Sequence, residues 1–140
     1  MYRIILDTNV IYSAVRSTSG ASFRLLNLIP DNRFEINLSP PLVFEYEEIL
    51  KREDKQILLS HEQIDDVLNY LCKNGNQRLI HFLWRPMLTD TDDDLLLELA
   101  IESNSDFIIT FNTKDFLSTE EFGIRAIRPI EFLRIIGENK

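Results

Sequence analysis

Four separate groups of residues in this chain carry oxygen atoms that could hold a divalent cation or activate water. They are Asp7, Glu45, an acidic run that ends at Asp94, and a polar stretch that contains Thr110, Asn112 and Asp115. Oxygen-only ligands suit hard cations such as Mg²⁺ or Mn²⁺. Several carboxylates around one or two such ions are the usual apparatus for hydrolysing phosphodiesters, and they need no protein nucleophile.

Each group also has a purely structural explanation. Asp7 suits a turn or a helix cap, and Asn112 and Asp115 are ordinary turn residues. Acidic residues at a helix start complement the helix dipole. However, four carboxylates within residues 90–94 exceed what one helix end can use, and their mutual repulsion favours a bound cation. The joint occurrence of these groups is therefore more informative than any one of them.

Glu45 is distinguished by its position on a predicted helix. It lies three residues after Leu42 and four before Ile49, so it flanks the apolar stripe that the helix would bury. A carboxylate at the margin of a core is costly unless it is paired or bound to a cation. Glu47 and Glu48 point elsewhere and can be solvated. A salt bridge is the alternative explanation for Glu45.

The elements that would position these residues alternate along the chain. Apolar runs predict strands at 2–6, 34–38, 107–110 and 125–127, with a less regular one at 79–83. Amphipathic patterns predict helices at 10–15, 21–29, 40–52, 61–74, 90–103 and 129–137, with Ser39 and Ser60 as caps. This alternation predicts a doubly wound α/β domain with a mostly parallel sheet. Ligands in that class bind beyond the carboxyl ends of the strands, where Asp7 and Thr110 are expected.

Composition indicates one folded domain, residues 1–140, because 44% of the residues are hydrophobic. We expect a cytoplasmic protein, since no stretch approaches the roughly 18 apolar residues of a membrane span and no signal peptide is visible. The single cysteine, Cys72, excludes an intramolecular disulfide. The net charge of -8 argues against a protein that simply coats nucleic acid, although carboxylates that hold cations would contribute to it.

Taken in order, the motifs resemble those of the PIN-domain ribonucleases, particularly the VapC-like toxins of bacterial toxin-antitoxin pairs. Residues 6–10, Leu-Asp-Thr-Asn-Val, match the opening motif of that family, and the helix at 42–50 carries its second acid. Asp94 occupies the position of the third acid, and residues 110–116 are similar to the closing Thr-x-Asp/Asn-x-x-Asp-Phe element. The resemblance covers nearly the whole chain.

The resemblance implies a Rossmann-like three-layer fold with a five-stranded parallel sheet, and a Mg²⁺- or Mn²⁺-dependent endoribonuclease. RNA is the implied substrate, and a homodimer and a small antitoxin are the implied assemblies. The implied metal ligands are Asp7, Glu45, Asp94 and Asp115, and Thr110 and Asn112 complete the implied catalytic site. Asn112 stands where many members have aspartate, so the fourth acidic function passes to Asp115 or is weakened.

Two other functions stay open at this level. A receiver domain also has an acidic pocket, a threonine and a lysine, here Lys114, but it would need an aspartate where residues 85–87 read Arg-Pro-Met. A PIN-like module that binds RNA or a protein without cleavage is favoured by Asn112 and by the acidic composition. His61 and His81 are the only histidines, which argues against a metal-free ribonuclease.

Surface functions are predicted from residue type alone. A candidate path for RNA would use five basic residues: Arg16, Arg24, Lys51, Arg52 and Lys114. Single basic residues ordinarily serve solubility, and that is their expected role. Core packing is the expected role of Phe82, Trp84, Val67 and Leu71, with a dimer or partner surface as the alternative.

Overall fold

The computed structural model describes residues 1–52, 56–78 and 91–138, with the backbone only at 91–93. Its strands are β1 (Tyr2–Leu6), β2 (Phe34–Leu38), β3 (Asn76–Gln77), β4 (Phe107–Ile109) and β5 (Arg125–Ile127). Its helices are α1 (Thr8–Arg16), α2 (Ala21–Asn27), α3 (Pro40–Leu50), α4 (His61–Asn74), α5 (Thr91–Glu102) and α6 (Pro129–Ile135). A 3₁₀ segment, Thr113–Phe122, is kinked at Phe116.

The five strands form one parallel sheet in the order β3-β2-β1-β4-β5. The chain moves outward from central β1 to β2 and β3, and then returns to the other side of β1 for β4 and β5. The topological switch point therefore lies between β1 and β4, where Leu6 is paired with Ile109. The predicted doubly wound fold with a five-stranded parallel sheet is confirmed.

The central strand is buried on both faces. Ile4 and Ile5 point to opposite faces of the sheet, and both are fully buried. One apolar cluster joins β1, β2, β4 and β5 to all six helices. This packing explains why the strands read as continuous apolar runs instead of alternating patterns.

The predicted helix caps are present. The Ser39 hydroxyl caps α3, and Ser60 forms a capping box with Gln63 at the start of α4. Helix α1 begins at Thr8, earlier than predicted, because Asp7 is its N-cap. Helices α2, α3 and α6 each end two residues before the predicted boundary, which is within the ordinary uncertainty of helix ends.

The third strand that the structure describes comes just before the segment where a strand was predicted. It covers Asn76–Gln77 and pairs with the end of β2. The strand predicted at 79–83 lies outside the described residues, as do His81, Phe82, Trp84 and Asp90 and the side chains of Asp92 and Asp93.

Other sequence predictions concern α4 and the surface. Leu71 is buried and Val67 half-buried against the core, as core packing requires. His61 is exposed, and Cys72 is a half-buried free thiol.

Within the described ranges, no helix is both long enough and apolar enough to cross a membrane.

Gly75, at the end of α4, lies too close to the core to carry a side chain. A Cβ atom there would lie 2.8 Å from Leu38 Cδ1 and 2.9 Å from Leu71 O. The second contact is a backbone atom, which cannot rotate away. A Cβ atom at Gly20 would meet nothing within 4 Å.

We predict that Gly75→Ala lowers the free energy of unfolding by about 1–3 kcal/mol through overpacking. Gly20→Ala, the matched control, should change it by less than about 1 kcal/mol. Urea denaturation followed by circular dichroism measures both, and equal midpoints for the two variants would contradict the close approach at Gly75.

Candidate functional site

Asp7 lies between β1 and α1, and hydrogen bonds join it to β4 and to α1. Its backbone N–H donates to Ile109 O at 2.9 Å, which continues the pairing of β1 with β4 by one residue. Its Oδ1 accepts the N–H of Thr8 at 2.7 Å and so caps α1. The residue is only 9% exposed. Asp7 is therefore a helix cap, and its carboxylate also lies at the switch point of the sheet.

Thr110 binds the second oxygen of Asp7 from the end of β4. Its buried hydroxyl donates to Asp7 Oδ2 at 2.7 Å and accepts the N–H of Asn112 at 3.0 Å. The backbone N–H of Thr110 donates to Ile127 O at 2.9 Å, at the end of β5. Thr110 thus joins the carboxyl ends of three neighbouring strands.

Thr8 connects the carboxylates of Asp7 and Glu45. Its backbone N–H binds Asp7, and its Oγ1 donates to Glu45 Oε2 at 2.5 Å. Glu45 is half-buried in the middle of α3, as its predicted position beside the apolar stripe requires. Sequence reasoning missed the bridging role of Thr8. The available signal was its place directly after a predicted cap, which keeps its side chain at the same edge of the sheet.

The other two glutamates of α3 form ion pairs. Glu47 binds Lys51 at 3.0 Å, and Glu48 binds Arg52 at 3.5 Å. Lys51 also binds Asp65 of α4 at 2.6 Å, and these acidic partners, Asp65 above all, raise the pKa of Lys51. Because both bases follow an 11-residue helix that begins at the carboxyl edge, they lie about 16 Å from that edge. Their placement does not support a part for Lys51 and Arg52 in the candidate RNA path.

Tyr46, the neighbour of Glu45, attaches α3 to the end of β1. Its buried hydroxyl donates to Leu6 O at 2.5 Å. Burial raises the pKa of Tyr46 well above its usual value, and the negative charges of Asp7 and Glu45 add to the shift. The hydroxyl therefore stays protonated, and two adjacent residues of α3 hold that helix against β1 and α1.

Asp94 lies in the first turn of α5 and is 5% exposed. Helix α5 leads into β4, so it starts at the carboxyl edge of the sheet, and it packs on β1 and α3. Glu98, one turn further along the same side of the helix, is 4% exposed. Glu98 was not recognised in the sequence, where its four-residue spacing from Asp94 was the available signal.

Asn112 and Asp115 lie on the surface beyond β4, and both are exposed. The backbone N–H of Asp115 donates to Asn112 O at 3.0 Å. Among the described residues, neither of these side chains forms a hydrogen bond with Asp7. Asn9 reaches this loop instead, since its Oδ1 accepts the N–H of Phe111 at 3.4 Å. The role of Asp115 as a metal ligand stays a prediction.

The donor set suits a hard cation. The hydrogen bonds from Thr8 and Thr110 come from neutral groups, so they orient Asp7 and Glu45 without cancelling their charges. A carboxylate oxygen that accepts one such bond keeps a lone pair for a cation. In the part of the chain that the structure describes, no three His, Cys, Asp or Glu side chains form a metal-binding group. The structure connects Asp7 and Glu45 through Thr8 and places Asp94 at the same edge of the sheet.

Comparison with known families identifies the domain. The sequence profile of the PIN domain matches residues 3–114, which include Asp7, Glu45, Asp94 and Thr110. The chain belongs to the PIN-domain family. PIN domains are generally nucleases and typically depend on divalent metal ions. This membership excludes the receiver-domain alternative.

Two solved structures share the fold of this PIN domain. VapBC2 from Rickettsia felis, bound to a DNA fragment from its promoter, matches with a TM-score of 0.62 and 18% identity, over 89% of this chain and 98% of that chain. FitAB bound to an IR36 DNA fragment matches with a TM-score of 0.58 and 16% identity, over 90% and 94%. No curated protein sequence matches the chain. Identities this low establish the fold alone.

We predict that Tyr46→Phe lowers the free energy of unfolding at neutral pH by about 1–3 kcal/mol, because the buried Leu6 carbonyl loses its donor. Tyr2→Phe is the matched control, since Tyr2 is exposed and its hydroxyl forms no hydrogen bond within the described ranges. Urea denaturation measures both variants.

The difference between wild type and Tyr46→Phe should shrink above pH 10. Folding raises the pKa of Tyr46 above its usual value of 10.0, so the unfolded wild-type chain loses this proton first. Stability contributed by the protonated tyrosine is present below pH 10 and falls above it, by up to about 1.4 kcal/mol per pH unit. A difference that stays constant to pH 11 would contradict a buried, un-ionised Tyr46.

Proposed function

We propose that this PIN domain is a Mg²⁺- or Mn²⁺-dependent endoribonuclease and the toxin of a toxin-antitoxin pair. The observation that carries the proposal is the pair of carboxylates, Asp7 and Glu45, joined by Thr8 at the switch point of a parallel sheet. Asp94 is buried at the same edge and adds a third acid. Family membership supports nuclease chemistry at this edge.

The proposed ligands are Asp7, Glu45, Asp94 and Asp115. When bound, Mg²⁺ or Mn²⁺ supplies a Lewis acid for the phosphate and lowers the pKa of the attacking water. The chain itself positions the carboxylates. Thr8 fixes Glu45 relative to Asp7, and Thr110 holds the second oxygen of Asp7. Asn112, in the closing motif, is a neutral amide. It therefore gives the edge where a phosphate would enter less negative charge than an aspartate would.

The toxin role and its partner rest on the comparisons. The VapBC2 and FitAB structures described above are toxin-antitoxin complexes, which supports a small antitoxin as the partner of this chain. A homodimer and a cytoplasmic location complete the proposal. Light scattering of the purified protein tests the dimer, and co-purification with the product of an adjacent small gene tests the antitoxin.

We predict that the purified protein cleaves a labelled, mixed-sequence single-stranded RNA with Mg²⁺ or Mn²⁺ and not with EDTA. Asp7→Asn should slow cleavage by at least about a hundredfold. The substitution removes the negative charge of a proposed metal ligand, and a bound metal ion stabilises the transition state by several kcal/mol. Asp66→Asn, on the exposed side of α4, is the control and should cleave like wild type.

Two results would count against the ribonuclease. Cleavage that persists in EDTA or in Asp7→Asn would point to a contaminating nuclease. If folded, metal-supplied and antitoxin-free protein leaves RNA intact, the alternative of a PIN-like module that binds RNA or a protein without cleavage becomes the better explanation. The exposed position of Asn112 and Asp115 is the observation that favours that alternative.

We predict that Thr8→Val weakens Mn²⁺ binding by about tenfold, since residues that orient metal ligands typically contribute that much. Thr8→Ser keeps the hydroxyl and should retain wild-type affinity. Calorimetric titration with Mn²⁺ in the absence of RNA measures both variants. Equal affinities for the two variants would mean that Thr8 serves the fold only.

A further inference from the structure

We propose that Lys114 and Arg128 bind the RNA backbone on one flank of the acidic site and direct it across the ends of β4 and β5. The inference rests on the proposed ribonuclease function, and it names the side of the site on which the substrate lies. It replaces most of the RNA path predicted from residue type.

Three of the five bases of the candidate path lie at the far ends of two helices. Helices α1 and α3 both begin at the carboxyl edge of the sheet, directly after β1 and β2. Arg16 ends the nine-residue α1, so it lies about 13 Å from that edge. Lys51 and Arg52 follow α3 and are bound in ion pairs. These three side chains are poorly placed for a phosphate at Asp7.

Lys114 and Arg128 lie at the carboxyl edge itself. Arg128 directly follows β5, and Lys114 lies in the first turn of the 3₁₀ segment after β4. Both side chains are exposed, and in the described part of the chain neither forms an ion pair. Glu131 is the acid nearest in the chain to Arg128, and its carboxylate accepts the backbone N–H of Arg128 at 3.2 Å. Both bases are therefore available to a polyanion.

A short series of hydrogen bonds connects these two positions to Asp7. Thr110 donates to Asp7 through its hydroxyl and to Ile127 O through its backbone N–H. Ile127 immediately precedes Arg128. The Thr110 hydroxyl also accepts the N–H of Asn112, two residues before Lys114. The same residue that orients the proposed metal ligand thus fixes the backbone near both bases.

The strand order sets the spacing between the acids and Arg128. β5 is two strands from β1, so with neighbouring strands about 4.8 Å apart their ends are separated by about 10 Å. A phosphate that reacts would meet the carboxylates at β1. Lys114 and Arg128 are placed for the phosphates that flank it, where a long basic side chain can bind without neutralising the proposed metal ligands.

The positive charges of Lys114 and Arg128 would offset the repulsion between RNA and the acidic site. The chain carries a net charge of -8, and an acidic site repels a polyanion wherever a bound cation does not neutralise it. Each phosphate contact made by lysine or arginine releases counterions, so binding through these residues must weaken with salt. Salt dependence therefore separates contact on this flank from contact at the acidic site.

The test is the affinity for RNA in the non-cleaving Asp7→Asn background. A short, labelled single-stranded RNA is titrated by fluorescence anisotropy at several salt concentrations, in EDTA. The added substitutions Lys114→Ala and Arg128→Ala should weaken binding on the order of tenfold and reduce the salt slope by about 1.4, or about 0.7 for each lost contact. In the otherwise wild-type chain, the same two substitutions should leave the Mn²⁺ affinity unchanged, as measured by calorimetric titration.

The matched control carries Arg125→Ala and Arg134→Ala in the same background. Both residues are exposed, but Arg125 begins β5 and Arg134 lies in the last turn of α6, so both are at the opposite edge of the sheet. The control removes the same charge and should leave affinity and slope unchanged. If both double variants lost RNA affinity equally, the effect would come from net charge alone, and the inference would be wrong.

The two proposals fail in different ways. If the wild type cleaves RNA but Lys114→Ala with Arg128→Ala changes neither affinity nor salt slope, the inference is wrong and the ribonuclease stands. If the wild type neither cleaves nor binds RNA, the ribonuclease proposal itself is wrong, and the inference is rejected with it.

Discussion

The register of β1 against β4 is the constraint on which the site depends. The two strands pair in parallel through Leu6 and Ile109, and the backbone N–H of Asp7 extends the pairing beyond the strand. This extension brings Asp7 alongside Thr110, so the carboxylate and the hydroxyl meet at the switch point. A shift of one residue would turn Asp7 to the other face of the sheet and so separate its carboxylate from the Thr110 hydroxyl.

Several polar groups of the fold form hydrogen bonds that stabilise the carboxylate of Asp7 at this buried position. An unsatisfied charge there would cost several kcal/mol, and Asp7 avoids that cost by accepting a backbone N–H at the start of α1 and a hydroxyl from β4. Tyr46 satisfies the carbonyl of Leu6 next to it. A helix cap needs only the first of these contacts, and the additional hydrogen bonds are why we propose a function beyond folding for Asp7.

Sequence reasoning reached the features that depend on local pattern. The alternation of strands and helices predicted the parallel sheet, and the position of Glu45 beside an apolar stripe predicted a partly buried acid. It missed the contacts that join distant segments: Thr8 and Glu45 are 37 residues apart, and Leu6 and Tyr46 are 40 apart. Periodicity assigns a residue to one face of an element, but which side chain it meets depends on how two elements pack.

The distribution of charge explains why the net value of -8 says little about what the site can bind. Arg33, for example, binds Asp31 and Glu138 near the start of β2, and the guanidinium lowers the pKa of Asp31. Arg3 binds Glu35 across neighbouring strands. These pairs neutralise charge away from the carboxyl edge and leave the carboxylates and the exposed bases at that edge to set the local field. The substrate of the proposed ribonuclease would therefore meet a local pattern of opposite charges, which the net charge of the chain conceals.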